Sequence, residues 1–435
     1  MNLSVETIGL IGIGFLFLLM FLRVPIAIAM ALPGIVGAWY LRGWEPLSTL
    51  LNTIVWNHSF HYTLTTIPMF ILMSELITLS GISSNLFDVF RKWMGAIRGG
   101  LALSTVGASA IFAAACGSSI ASTATIGIVA SGEMRKAGYS DVLGSGAIVA
   151  GGTLGILIPP STAFIIYGML TEESIGKLLI AGILPGIVLT ALYMLTVYIA
   201  VRMYPKMGPA VERSSWRERI VALGSVSWIS ILFIVVIGGM YTGVFSPTEA
   251  AGAGAFGALI IAWVRGRMTW RNLFESLNNT LKITTFLFAI ILGAFIFNYF
   301  LAITRLPANL SSFISGLDMP PVAILLVILL MYVFLGAIMD ALAMVVITIP
   351  IFLPTLKALG FDLIWFGVIV VVMIEMALIS PPVGMGCFIL KGVNPNLSMG
   401  SIYKGALLFI LPILVLLGLL ISFPDIALLL PRMMD

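Results

Sequence analysis

The sequence predicts an all-α polytopic membrane protein made of two inverted repeats, each with a re-entrant hairpin and a discontinuous helix. Three observations lead there. Of the 435 residues, 60% are hydrophobic and only 9% charged, with a mean hydropathy of +1.15, far outside the range of soluble globular domains. Two long apolar stretches, GILIPPSTAFIIYG at 155–168 and ALISPPVGMGCFIL at 377–390, are broken at their centres by consecutive prolines. The third observation is a repeated spacing: Ser118 precedes Pro159 by 41 residues, and Asp340 precedes Pro381 by the same 41, at an offset of 222. SGISSNL at 80–86 echoes TRLPANL at 304–310, and RKAGYSD at 135–141 echoes KALGFD at 357–362, so order and offset together indicate a duplication.

A helix needs ~20 apolar residues to cross ~30 Å of hydrocarbon, and the apolar runs allow about nine full crossings plus some shorter or interrupted segments. Their continuity favours helices over a β-barrel. Ile8 to Leu22 has no basic stretch before it and no small-residue cleavage site after it, and is read as a retained helix. With the N-terminus outside, it ends at Arg23 in the cytoplasm, Val24 to Leu41 returns, and Thr66 to Leu79 runs inward again. Ser83 to Met94 follows, with Leu86, Phe87, Phe90, Trp93, Met94 and Ile97 on one helical side and charges on the other, so it should lie in the interface.

Leu101 to Ala130 is apolar but interrupted by CGSSIAST, and only as a hairpin that dips in and returns does it keep Arg135 and Lys136 inside. Crossings follow at Val142 to Leu170, Leu178 to Val201, Ile220 to Tyr241, Ala250 to Val264 and Thr280 to Ile303. Of the 22 Lys and Arg, this leaves only Arg42, Lys177, Arg305, Lys357 and Arg432 outside, as the positive-inside bias favours. Five crossings separate the first hairpin from its counterpart, Val322 to Leu353, so the second enters from the opposite face. Inverted repeats whose discontinuous helices meet near the midplane are the architecture of secondary transporters. The expected division is residues 1–82, scaffold helices of the first repeat; 83–205, interfacial arm, first hairpin, broken helix and following helix; 206–219, a cytoplasmic linker; 220–303, scaffold and arm helices of the second repeat; and 304–435, second hairpin, broken helix and last helix.

Pro159 and Pro160 lack N–H donors and so free the carbonyls one turn earlier, around Gly155 and Ile156. Such oxygens are hard ligands suited to a small cation, and unpaired backbone at membrane depth is tolerated only where protein, water or a ligand satisfies it. Gly151, Gly152 and Gly155 permit close approach of the hairpin tip, which brings Ser118, Ser119, Ser122 and Thr123. The second half supplies Gly336, Asp340 and Thr348 from its hairpin and Ser380, Pro381, Pro382, Val383 and Gly384 from its break. Asp340, an acid in an apolar run, is costly unless paired. Glu75 and Glu375 are read either as cation or proton groups or as carboxylates bonded between helices, and Glu249 as a helix cap.

With cations in the breaks, an anionic substrate can sit between them, facing the positive ends of the half-helices and the hydroxyls of Ser119, Ser161 and Thr162. A net charge of +4 in this setting is no nucleic-acid signal. Cys116 and Cys387 read as small buried hydrophobes. His58 and His61 read as interfacial, and no metal cluster is implied.

Residues 117–161, from GSSIASTATIGIVASGEMRKAGYSD to GILIPPS, closely resemble the signature of the large membrane subunit (DctM-like, M subunit) of tripartite ATP-independent periplasmic (TRAP) transporters. FLRVPIAIAM, YTGVFSPTEAAGAGA and SPPVGMGCFILKGV also look like that family, so the resemblance covers essentially the whole chain. It implies an elevator-type, ion-transporter-superfamily-like fold driven by sodium, without a cofactor, in the bacterial inner membrane. It implies two partners: a small four-helix membrane subunit (Q type), expected as a separate chain, and a periplasmic substrate-binding protein (P type) that captures an organic acid. By motif match, one sodium site would use Cys116, Ser118, Gly155, Ile158 and Pro160, and a second Gly336, Asp340, Ser380, Pro382 and Gly384. Substrate would meet Ser119, Ser122, Thr123, Ser161 and Thr162. C4-dicarboxylates, sialic acids, keto acids and other carboxylates all fit as substrates.

A stand-alone sodium and dicarboxylate symporter shares the hairpins and breaks but needs no soluble partner. An intramembrane aspartyl protease requires two membrane aspartates, and Asp340 is the only one. Asp340→Ala is expected to abolish sodium-dependent uptake, and a variant that keeps it would return the breaks to a structural role.

Overall fold

The computed structural model describes residues 4–59, 62–317, 319–336, 339 and 341–434; the His58 side chain, His61 and Asp340 lie outside them. All regular structure among the described residues is helical. The first half runs α1 (Val5–Phe21), α2 (Ile26–Arg42), α3 (Trp44–Ser59), α4 (Thr66–Leu79), α5 (Ile82–Met94), α6 (Gly100–Cys116) and α7 (Ser119–Lys136). It ends with α8 (Asp141–Leu157), α9 (Thr162–Thr171), α10 (Ile175–Ala181) and α11 (Ile183–Met203). The second half runs α12 (Trp216–Gly224), α13 (Ser227–Phe233), α14 (Gly239–Tyr241), α15 (Pro247–Val264), α16 (Trp270–Thr304) and α17 (Leu306–Ser315). After these come α18 (Pro321–Gly336), α19 (Ala341–Ala358), α20 (Leu363–Ile379), α21 (Met385–Val393), α22 (Met399–Leu408), α23 (Ile410–Ser422) and α24 (Asp425–Arg432).

Local sequence sets these limits. Ser118, Ser140, Ser161, Ser174, Ser246 and Asp362 each accept a bond from an amide of the first turn that follows them, as N-caps do. Ser246 and Glu249 form a reciprocal capping box, the role expected of Glu249. Gly138 and Gly360, 222 residues apart, both turn the chain at φ +74 after α7 and α19.

Seven helices among the described residues are long and apolar enough to cross a membrane, and an eighth crossing forms if the bent pair 216–224 and 227–241 counts as one. That is fewer than the nine read from the sequence, because α1, α2 and α20 stop at 17 residues, about 26 Å of rise. Between the hairpin α6–α7 and its counterpart α18–α19 lie five spans, 141–171, 175–203, 216–241, 247–264 and 270–304. Their odd number sets the two hairpins into opposite faces.

The halves pair across the duplication in a reciprocal way. α2 packs on α16, while its counterpart α15 packs on α4. α7 packs on α21, while α19 packs on α9; α8 packs on α22, while α20 packs on α10. Contacts that exchange partners in this manner are the mark of a two-fold relation. The α3–α4 stretch, 44–79, corresponds to the single 35-residue α16, a match the sequence pattern does not display.

Two packed groups result. One joins α1–α4 to α13–α16; the other holds the hairpins and broken helices, with α8 and α20 at its centre, where 15 of the 17 residues of each are buried. The amphipathic α5 is too short to cross and packs on α6 and α12, burying Leu86 and Phe87 in protein. On its other side Asp88 pairs with Arg91 (2.8 Å) and Lys92 (2.6 Å). Burial pushes the Asp88 carboxyl up, but these two cations outweigh it and hold the group below the usual carboxylate range.

With no hydrophobic gain between helices in lipid, close packing of small residues carries the association. A Cβ at Gly293 of α16 would stand 2.4 Å from the Ala27 carbonyl oxygen of α2. Backbone on both sides cannot give way, so Gly293→Val is expected to destabilise the fold by ~1–3 kcal/mol, read as a lowered midpoint in thermal unfolding of the purified protein.

Candidate functional site

The two breaks are where the fold places its irregular backbone. α8 ends at Leu157 and α9 begins at Thr162; α20 ends at Ile379 and α21 begins at Met385, one residue later in the matched register. Each break carries a cis peptide bond between its prolines. The first is sealed: Ile158, Pro159, Pro160 and Ser161 are all buried, whereas Pro381, Pro382 and Val383 are exposed.

What seals the first break is the tip of α6–α7. Gly117 turns the chain at φ +60, and a Cβ there would stand 2.4 Å from the Pro160 carbonyl oxygen. A Cβ at Gly155 would meet the Ser118 carbonyl at 2.9 Å and Ser122 Oγ at 3.0 Å, and one at Gly152 would strike Thr123. Gly151 instead faces Ser109 and Val106 on the first arm of the hairpin. Only glycine lets these backbones approach so closely. Ser122 Oγ is buried with no hydrogen-bond partner, beside the turn whose Gly155 and Ile156 carbonyls face prolines, and not N–H groups, four residues on.

Next to this contact lies a cavity of about 590 Å³. Cys116, Gly117 and Ser118 from the tip and Pro160, Ser161 and Thr162 from the break form one wall; Phe70, Ile71, Ile283, Phe286 and Leu287 of α4 and α16 form the other. Ser118 and Ser161 are the N-caps of α7 and α9, so two helix N-termini, the positive ends of their dipoles, meet here. No Lys or Arg lines it among the described residues, and Glu75 is its one charged group.

Of the residues singled out in the sequence, Cys116, Ser118, Gly155, Ile158 and Pro160 lie at the tip and the first break, and Ser161 and Thr162 line the cavity wall. Ser119, Ser122 and Thr123 are buried and do not line the cavity, with Ser122 and Thr123 set against Gly155 and Gly152 of α8. The reason is helical period: positions 119, 122 and 123 share the face that packs on α8, and the cavity sees Ser118, Ile120 and Ala121. In the second half, Gly336 ends α18 and Gly384 opens α21 at φ +52; Ser380 Oγ donates to the Met376 carbonyl at 2.6 Å.

Three contributors carried no separate signal. Ser74 of α4 donates to Cys116 Sγ at 3.3 Å, tying the second wall to the tip. Asn279 Nδ2 donates to Glu75 at 3.2 Å, so that acid is bonded between helices. Tyr403 Oη lies 2.8 Å from both the Pro382 and Val383 carbonyls, capping the exposed break.

Opposed hairpins, each resting on the half-helix of the other repeat beside a cavity at the breaks, define a polytopic secondary-transporter fold. The YdaH transporter of Alcanivorax borkumensis shares that fold, with a TM-score of 0.66 at 16% identity over 96% of this chain and 98% of its own. Residues 13–426 match the family described as tripartite ATP-independent periplasmic transporter, DctM component, and the chain belongs to that family of large permeases. The C4-dicarboxylate TRAP transporter large permease protein DctM of Pseudomonas aeruginosa is 37% identical, covering 92% of this chain and 93% of that one. The 2,3-diketo-L-gulonate TRAP transporter large permease protein YiaN of Escherichia coli is 32% identical over 93% and 94%. The sialic acid TRAP transporter large permease protein SiaM of Vibrio cholerae is 29% identical over 86% and 87%.

Gly155→Ala should part the tip from α8, since the atoms it meets are Ser118 backbone. The expected cost is ~1–3 kcal/mol, with new accessibility of Cys116 to a thiol reagent; unchanged labelling would contradict the sealed contact.

Proposed function

We propose that this large permease performs sodium-coupled uptake of an organic acid across the bacterial inner membrane by an elevator movement. A periplasmic binding protein would deliver the substrate and a small four-helix membrane subunit would stand beside the α1–α4 and α13–α16 group. The hairpin group would be the moving part and the other group the scaffold, which matches residues 83–205 and 304–435 against 1–82 and 220–303. The observation that carries this reading is the glycine-mediated contact of the α6–α7 tip with the α8–α9 break, which leaves a buried hydroxyl and freed carbonyls side by side.

Sodium, a small hard cation, suits oxygen ligands of this kind. Ser118, the backbone of Cys116, Gly155, Ile158 and Pro160, and Ser122 would hold one ion; Asp340, Gly336, Ser380, Pro382 and Gly384 would hold a second. A carboxylate bonded by Ser161 and Thr162 at the two helix N-termini would find its counter-charge in those ions, since no Lys or Arg lines the cavity among the described residues. Binding of the acid then depends on sodium already in place. A tenfold sodium gradient with ~100 mV of membrane potential supplies about 4 kcal/mol per ion, a concentrating power of several hundredfold.

A stand-alone sodium and dicarboxylate symporter is the second reading, favoured only if this chain takes up substrate without a soluble partner. The deciding experiment is uptake into proteoliposomes holding this chain with its small subunit, with binding protein and a sodium gradient outside. Transport that is equal without sodium, or without the binding protein, would sink the proposal. Ser122→Ala should raise the sodium concentration for half-maximal uptake about tenfold, the loss of one charge-assisted contact.

A further inference from the structure

At the centre of the hairpin group sits an acid that no part of the coupling scheme uses. Glu375 lies on α20, five residues before the second break, and is 0% exposed. Neither of its oxygens has a hydrogen-bond partner. Glu75, the other acid singled out in mid-helix, takes its bond from Asn279, so the two carboxyls that look alike in sequence differ in hydrogen bonding.

The titratable groups on the helices around α20 are turned elsewhere. Tyr167 of α9 donates to the Leu363 carbonyl, Tyr332 of α18 pairs with Thr348, and Tyr403 of α22 bonds the second break. On α21, Cys387 faces the Ile379 carbonyl and Lys391 donates to the Pro395 and Leu397 carbonyls. Asp141, Lys357, Lys404, Asp425 and Arg432 are exposed, and Lys177 is half-buried at the start of α10; α23 carries no titratable group. What remains is Tyr193 of α11, fully buried, within electrostatic reach of Glu375 and 3.4 Å from Thr153 Oγ1 on α8.

The duplication explains the setting. Thr153 is the counterpart of Glu375 at the offset of 222, so one half fills this axial position with a neutral hydroxyl and the other with a carboxyl. An ionised carboxylate here would have neither a counter-charge nor a donor, in a low-dielectric interior that offsets neither loss. Taking up one proton from water removes the charge and leaves a neutral acid, with Tyr193 within electrostatic reach.

We propose that Glu375 is a proton-binding site inside the hairpin group: it is held there as the neutral acid, and the group crosses the bilayer only with that proton in place. Uptake is then pH-dependent through a residue that lies outside both breaks. The test is sodium-driven uptake in proteoliposomes across neutral to alkaline pH, for the natural protein and Glu375→Gln, with infrared spectra of both at neutral pH. The natural protein should lose rate about tenfold per pH unit above the midpoint, as one proton dictates, and Glu375→Gln should lack that decline. An identical alkaline decline in both overturns the proposal. The infrared reading is independent of substrate and driving ion: a carboxylic-acid carbonyl band is expected at neutral pH and its absence from the natural protein also overturns it, even if the variant fails to fold.

Discussion

In hydrocarbon, a peptide group without a partner has no water to fall back on, and this architecture depends on how that debt is met. Two helices are interrupted where a continuous one would have satisfied itself. The freed backbone must therefore be covered by some other element, and the glycine-lined side of α8 admits only a thin one. The hairpin tip is that element. Gly117 against the Pro160 carbonyl and Gly155 against Ser118 put backbone on backbone, with hydroxyls filling what remains. The contact is polar and close, and it gathers buried backbone and hydroxyl oxygens beside the break.

A consequence of the reciprocal packing is that each hairpin touches the half-helix of the other repeat as well as its own break. α9 leans on α19 and α21 on α7, so displacing one hairpin disturbs the break of the other half. The two breaks are thereby linked through shared helices. The group is also held together at its centre by α8 and α20, whose near-total burial makes it move as a unit if it moves at all.

The sequence displayed this much because its strongest signals are chemical exceptions. Consecutive prolines inside an apolar run, and a CGSS tip between two apolar arms, have few explanations in a membrane, and their recurrence at 222 residues turned two oddities into one fold. What stayed hidden depends on geometry between distant segments. Phe286 and Ile283, which wall the cavity, look like any lipid-facing apolar residues until α16 is laid beside the tip. Tyr403 is an ordinary aromatic residue near a helix start, and nothing local says it reaches back to Pro382. That Ser119, Ser122 and Thr123 lie off the cavity wall was not legible, because hydroxyl content shows polarity but not the face it occupies. Glu75 and Glu375 could not be told apart for the same reason: Asn279 lies 204 residues from one and nothing comparable lies beside the other.

The halves have diverged at their breaks. The first break is buried beneath its hairpin and its carbonyls meet glycine backbone; the second presents Pro381, Pro382 and Val383 at the surface, with Tyr403 on two of its oxygens. Position 403 falls on Ala181 in the first half, so that cap has no counterpart. A phenol hydroxyl has one proton to give, and each carbonyl keeps a second lone pair. Tyr403 can thus steady the exposed turn while leaving acceptor capacity on it, a role the first break does not need because the tip already holds it. Symmetry supplied two equivalent scaffolds, and side-chain differences at a few positions made one a closed pocket and the other an open turn.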